Sequence, residues 1–288
     1  MSIFKISKYA CIFSIIFIGL TIYYLNSKDL KYGLEFSGGT ELIIEFNQKV
    51  DIDLLREHVS TINNSKISVQ LYDNKSYLIK FPYNENANTD IKKSMDEIFS
   101  QFYINNGPRI NQIDFIGPKV GKELVNNGLM SIIYGSLAIL IYVFIRFNFS
   151  FAMAAISALF HDFLIAIFFI LFLEIEITLT TIAALLTVIG YSVNDTIVIF
   201  DRVRENLKIS KDTFTKTINT SIIQTLSRTI LTVITVLIVL FPLYFFGGPI
   251  IKDFALIMII GVMVGTYSSI FFAPFLMYIF SGRRISND

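Results

Sequence analysis

Residues 189–207 read IGYSVNDTIVIFDRVRENL. The apolar run around this stretch begins near Leu179 and ends at Phe200, with Asn194 and Asp195 side by side inside it. A block of alternating charge follows, Asp201, Arg202, Arg204 and Glu205, and then Asn206. A carboxylate inside a membrane-length helix costs roughly 2.5–3.5 kcal/mol on insertion scales. Neither helix propensity nor packing offsets that cost. The stretch therefore predicts a spanning helix whose acid has a function.

The rest of the chain has the same solvent preference. Its 288 residues are 53% hydrophobic and 16% charged, with a mean hydropathy of +0.61, whereas soluble domains carry about a quarter charged residues. A formal net charge of +1 argues against a nucleic-acid partner, which favours a basic face. Cys11 is the single cysteine and lies in an apolar run, so neither a disulfide framework nor a cysteine-rich metal site is open to the chain. No cofactor and no metal are expected.

Lys5 and Lys8 precede an apolar run from Tyr9 to Leu25. The run is long for a secretory signal and no small-x-small cleavage site follows, so residues 1–25 read as a cytoplasmic start and an uncleaved first span. Residues 26–127 are polar and domain-sized. Thr40–Phe46 suits a strand, and Asp51–Asn63 a helix with Ile52, Leu55, Val59 and Ile62 in register. Ile67–Tyr72 and Tyr77–Phe81 suit two strands joined at Asp73-Asn74. Asn88–Phe102 reads as a second amphipathic helix and Arg109–Ile116 as a closing strand. The order β-α-β-β-α-β is that of the ferredoxin-like fold. The glycine-rich segment from Gly33 through Glu35, Phe36 and Gly38 to Gly39 lacks the Lys-Ser/Thr of a phosphate loop and reads as a tight turn into the first strand.

From residue 128 the chain is nearly all membrane. Candidate spans are Gly128–Phe147, Phe151–Leu173, Leu179–Phe200, Thr229–Phe246 and Phe254–Phe280, each near or above the roughly 20 residues a bilayer requires. The expected architecture is thus a membrane all-α bundle of six transmembrane helices, with a small α+β ferredoxin-like external domain inserted between helices 1 and 2. Arg146, the basic residues of an expected loop 201–228, and Arg283 and Arg284 in the tail 281–288 fall on one side. By the positive-inside rule both termini are then cytoplasmic and the domain lies outside.

Asp195 has polar company one and two turns back, at Ser192, Tyr191 and Thr187, with Val188 between. Arg228 opens the fifth span at the same membrane edge, and the two are expected to approach each other. Such a pair is either a protonation switch or a fixed ion pair, and the further alternative is an Arg228 that only snorkels to the membrane edge. His161 and Asp162 form a second intramembrane polar site, as a proton relay or as a hydrogen bond between helices. Gly261, Gly265, Ser268 and Ser269 make a small-residue stripe, read as packing rather than a ligand site. Asp201–Leu207 reads as a juxtamembrane amphipathic helix.

These stretches together resemble the SecF subunits of the SecD/SecF family, which assist the bacterial Sec protein-export translocase. The residues are GLEFSGGTELIIEF at 33–46, FIGPKVGKEL at 115–124 (with Gly117, Pro118 and Gly121), FHD at 160–162, the 189–207 stretch with Gly190, and LSRTILT at 226–232. The family usually has Asp where Glu35 stands, which keeps the charge. The resemblance implies an accessory, non-enzymatic subunit of the inner membrane. It would pair with SecD, act beside the Sec translocation channel, and promote release of exported polypeptides. It also assigns Asp195 to proton passage, with Arg228 near it; Asn194, Asp162 and His161 are further candidates. The family is related to resistance–nodulation–division exporters, so half of a small-molecule exporter is the alternative reading. An intramembrane aspartyl protease using Asp162 and Asp195 is the remote third, its flanks being wrong and its acids expected at different depths. Beyond these partners the chain contacts membrane lipid.

Overall fold

The computed structural model describes residues 3–62, 67–83, 91–209 and 211–282. The ends of two expected helices, Asn63 and Asn88, and the tail arginines Arg283 and Arg284 lie outside the described residues. The chain divides into two compact units, a helical one built from residues 1–31, 130–246 and 251–288, and a small one from 32–129 with 247–250.

Helix α1 (Ile3–Ser27) opens the helical unit. The small unit begins with α2 (Leu34–Ser37), so the glycine-rich segment is one helical turn rather than a bare turn. Gly33 and Gly38 flank that turn, and Phe36 is buried under it. Strand β1 (Gly39–Glu45) follows at once. Gly39 has φ +146°, and a Cβ there would stand 2.2 Å from the Phe81 carbonyl oxygen, so no other residue fits the close approach of β1 to its neighbour. Helix α3 (Ile52–Ser60) starts where Asp51 accepts the N–H groups of Asp53 and Leu54. Strands β2 (Ser68–Asp73) and β3 (Ser76–Pro82), helix α4 (Ile91–Phe102) and strand β4 (Arg109–Ile116) complete the unit. The antiparallel sheet has the order β2-β3-β1-β4.

Alternate residues of the central strands, Leu42 and Ile44 with Tyr77, Ile79 and Phe81, point to one face and are buried there. Leu55 and Val59 of α3 and Met95, Ile98 and Phe99 of α4 join them in one core, at the three- and four-residue spacing of a helix face. The Tyr77 hydroxyl donates to the Val50 carbonyl and accepts from its N–H, and the Tyr103 hydroxyl pairs with His58 Nδ1 at 2.8 Å, so both buried phenols of this core are satisfied.

Helix α5 (Pro118–Arg146) starts ten residues earlier than hydropathy suggests. Its first turn meets the glycine-rich segment within the small unit: Gly38 lies against the Ile116 carbonyl and Pro118, and Gly121 against the Phe36 carbonyl. Gly117 lies beside the Phe115 ring. The two stretches 33–46 and 115–124 are therefore one packing site.

The remaining helices are α6 (Phe149–Phe172), α7 (Leu179–Ile209), α8 (Phe214–Phe246), α9 (Pro249–Tyr267) and α10 (Ala273–Phe280). A π-helical turn, Ser268–Phe272, joins the last two. Among the described residues six apolar stretches are long enough to cross a membrane, with α9, the π turn and α10 counting as one. The stretch 201–228, expected as a loop, is helical on both sides of residues 210–213. Side-chain pairing explains it. Arg202 donates to Gln224 at 2.7 Å, and Asn206 to Gln224 and Ser221 at 2.8 Å each. Arg146 pairs with Asp201 at 2.6 Å, Arg204 reaches the Arg146 carbonyl, and Arg202 pairs with Glu205. The charged block is thus a continuation of α7 held to α5 and α8, not a separate surface helix.

At the opposite end of α7, Glu174 takes Lys31 at 2.7 Å and Lys28 at 3.0 Å, and the Ile177 N–H donates to the Lys31 carbonyl at 2.7 Å. Glu174 holds φ +56°, a left-handed conformation that a glutamate adopts at some cost. Direct bonds from Lys31 and Lys28 lower its carboxyl pKa to about 2. A depressed carboxyl contributes stability above its ordinary value and loses it as pH falls, here through about 2. The site is exposed, so the effect on stability is small. Glu174→Gln should lower the thermal midpoint in detergent slightly at low salt. The difference should vanish near 1 M salt, where the screening length is about 3 Å.

Candidate functional site

The helical unit has two apolar clusters. One gathers Leu159, Ile199, Phe200, Ile270 and Met277; the other gathers Ala166, Leu185, Val188, Ile257 and Val262. In each of α6, α7 and the α9–α10 segment, polar residues occupy the interval between them. Asp162 and His161 lie on α6, Ser192, Asp195 and Thr196 on α7, and Ser268 and Ser269 on the π turn. All seven are at most 3% exposed.

Asp162 is at the centre of this group. Its Oδ1 takes His161 Nδ1 at 2.8 Å. Its Oδ2 accepts the Ser192 hydroxyl and, at 2.7 Å, the Ser268 hydroxyl. Ser269 Oγ lies 2.8 Å from Thr196 Oγ1 and 3.3 Å from the Ser192 carbonyl, to which it can donate. His161 stacks on Phe272, with ring centroids 4.4 Å apart, so the π turn also fixes the imidazole.

Asp195 is 3% exposed. Its Oδ2 has no hydrogen-bond partner among the described residues, and neither do His161 Nε2 and Thr229 Oγ1. A buried carboxylate oxygen without a donor is costly, and such groups concentrate where chemistry needs them. Arg228 is exposed on α8 and makes no ion pair with Asp195 among the described residues. Its charge reaches Asp195 only at longer range. Arg228 and Asp195 thus lie near enough to interact electrostatically, without a direct ion pair among the described residues. Helix geometry explains the gap: α8 presents Thr229 to the interior, and Arg228 lies about 100° around the helix from it.

Other expectations divide in the same way. Asn194 and Gly190 are exposed on α7, and open space surrounds Gly190, so neither joins the cluster. Thr187 is exposed too and bonds back to the Ala183 carbonyl. The buried stripe runs through Val188, Ser192, Asp195 and Thr196. His161 bonds its own neighbour rather than a second helix; Ser192 and Ser268 make the links between helices. Asp162 and Asp195 share no hydrogen bond among the described residues. The small-residue stripe does pack, Gly261 against Val188 and Gly265 against Ser192. Its serines nevertheless belong to the polar site. The adjacent hydroxyls of SSIFF inside an apolar run were the available signal, and a π turn has none.

The family profile described as protein export membrane protein SecD/SecF, C-terminal, matches residues 98–283. The protein translocase subunit SecF of Desulfurispirillum indicum is 37% identical over 288 residues, covering 98% of this chain and 92% of its own. That of Rickettsia rickettsii is 35% identical over 282 residues, covering 97% and 91%. The crystal structure of SecDF, a translocon-associated membrane protein from Thermus thermophilus, superposes with a TM-score of 0.86 at 31% identity. A super-membrane-facing form of SecDF gives 0.74 at 30%. The chain spans 39% of the length of either solved SecDF chain.

Proposed function

The chain belongs to the SecD/SecF family of protein-export membrane proteins, and we propose that it is the SecF-type accessory subunit of a Sec protein translocase, working with SecD in the inner membrane. In this reading protons moving down their gradient use Asp195 and the Asp162 cluster, and the resulting helix motion drives the small external domain to promote release of exported polypeptides. The observation that carries it is the Asp195 carboxylate, enclosed among spanning helices with an oxygen that no donor satisfies among the described residues. Intramembrane acids of this kind mark ion pathways by default. One charge crossing 100 mV is worth about 2.3 kcal/mol, which suffices to bias a change between states of similar energy.

Arg228 and Asn194, exposed on spanning helices, support a second membrane subunit. Polar groups turned toward lipid are costly, and a SecD half covering them removes that cost. We read the small unit as ferredoxin-like, external, with both termini cytoplasmic. Its element order and the strand order β2-β3-β1-β4 support the first part, and the basic residues near the span ends support the rest. A protease dyad is disfavoured, because the Asp162 oxygens are taken by His161, Ser192 and Ser268 and not by Asp195.

The test is export of a secreted reporter into vesicles holding this chain with SecD and the translocation channel, with and without an imposed proton gradient. Export should gain a gradient-dependent part that disappears when either SecD or this chain is left out. Gradient-independent export, or a full response from the chain without SecD, would sink the reading.

A further inference from the structure

The π turn touches both acidic helices, and its two serines each have a choice of acceptor. Ser268 Oγ lies 2.7 Å from Asp162 Oδ2 and 3.0 Å from the Gly265 carbonyl. Ser269 Oγ lies 2.8 Å from Thr196 Oγ1 and 3.3 Å from the Ser192 carbonyl. A hydroxyl has one proton, so each serine donates to one acceptor at a time. An ionised Asp162 has only lone pairs and holds the Ser192 and Ser268 protons. A protonated Asp162 has a proton of its own to donate and competes with them, which frees Ser268 to turn to the Gly265 carbonyl.

The residues that Ser269 grips, 192 and 196, bracket Asp195 on α7. Ser192 is itself bonded to Asp162 through its side chain. Asp162 is therefore linked to the α7 turn that bears Asp195 by two routes, one directly through Ser192 and one through Ser268-Ser269 across the π turn. A run with the extra residue of a π turn is rare and recurs at functional sites. The other titratable groups around Asp162 are His161 beside it and Tyr267, whose ring centroid is 6.4 Å from that of His161. Cys11 faces Tyr267 from α1, while Arg228 acts on Asp195 from α8.

We propose that Ser268 and Ser269 are positioning residues that couple the state of Asp162 to the α7 turn bearing Asp195, the π turn being the two-state element between them. The proposal rests on the functional reading above for its purpose, but its geometry stands apart. Discrete alternative arrangements that both sites bias are the physical requirement for such coupling.

Two measurements test it. In the gradient-dependent export assay, at matched membrane levels, Ser268→Ala and Ser269→Ala should each lower the gradient-dependent part by about fivefold, the size of one neutral hydrogen bond. The Asp162→Asn/Ser268→Ala double variant should fall no further than Asp162→Asn alone, since Ser268 acts through Asp162. A full gradient response in Ser268→Ala, or additive losses in the double variant, would overturn the proposal. The second measurement is infrared difference spectroscopy of the full chain in lipid, with carboxyl bands assigned from Asp162→Asn and Asp195→Asn. Ser268→Ala should shift the Asp162 band and, through the π turn, the Asp195 band as well. An Asp195 band that stays in place removes the coupling. The spectrum does not depend on export, so failure of the bridge and failure of gradient-driven export are read separately.

Discussion

Asp195→Asn is expected to abolish the gradient-dependent part of export while leaving the protein at normal levels in the membrane. Asparagine keeps the size and most of the hydrogen-bonding capacity of aspartate and removes the proton it can carry. The site is 3% exposed and one carboxylate oxygen has no donor among the described residues, so the exchange breaks no direct bond at that oxygen and relieves a desolvation cost. Stability should therefore hold or rise as activity falls, which separates this outcome from a folding defect. Depletion of the wild-type subunit and complementation with the variant, scored with and without an imposed gradient, gives the answer. Export at the ungated level in both conditions is the expected result. An undiminished response would make Asp195 a structural residue, and the subunit would then assist export by docking alone.

Gly261→Leu should be the most damaging single change in the helical unit. Even a Cβ at position 261 would stand 2.1 Å from Val188 Cγ2, 2.6 Å from Cγ1 and 2.9 Å from Cβ. Valine in a helix has one strongly preferred rotamer, and its Cβ cannot move without the backbone, so the clash is met by separating α9 from α7. Overpacking of this kind costs about 1–3 kcal/mol, and more where the backbone must shift. The separation also draws the π turn away from Ser192 and Thr196. Membrane accumulation and the thermal midpoint in detergent should both fall. Gly261→Ala should fall less, and Val188→Ala should restore most of the loss in the Gly261→Ala background because it deletes the two nearest methyl groups. A Gly261→Leu protein as stable as the parent would show that these helices are not held at this distance.

The residues of the small unit were legible at short range. Asp51 caps a helix within its own first turn, and Leu42, Ile44, Tyr77 and Ile79 alternate within single strands. Patterns of this length are local, and local physics decides them. The family resemblance rests on stretches of the same kind, and two of them, 33–46 and 115–124, turned out to be faces of one contact. The extent of α7 and α8 was not legible, because hydropathy marks where lipid ends and not where a helix ends. Arg202, Asn206 and Gln224 continue both helices by pairing with each other.

By itself the sequence determined six apolar spans and the presence of acids within them, since each follows from the solvent preference of a contiguous run. Only the tertiary structure decided which polar groups meet. Asp162 finds Ser192 thirty residues on and Ser268 more than a hundred residues on. Asp195 feels the charge of Arg228 and keeps one oxygen without a hydrogen-bond partner among the described residues. Hydrogen bonds act over about 3 Å. Partners that far apart in the chain are chosen by how helices pack, and here by one extra residue in a π turn.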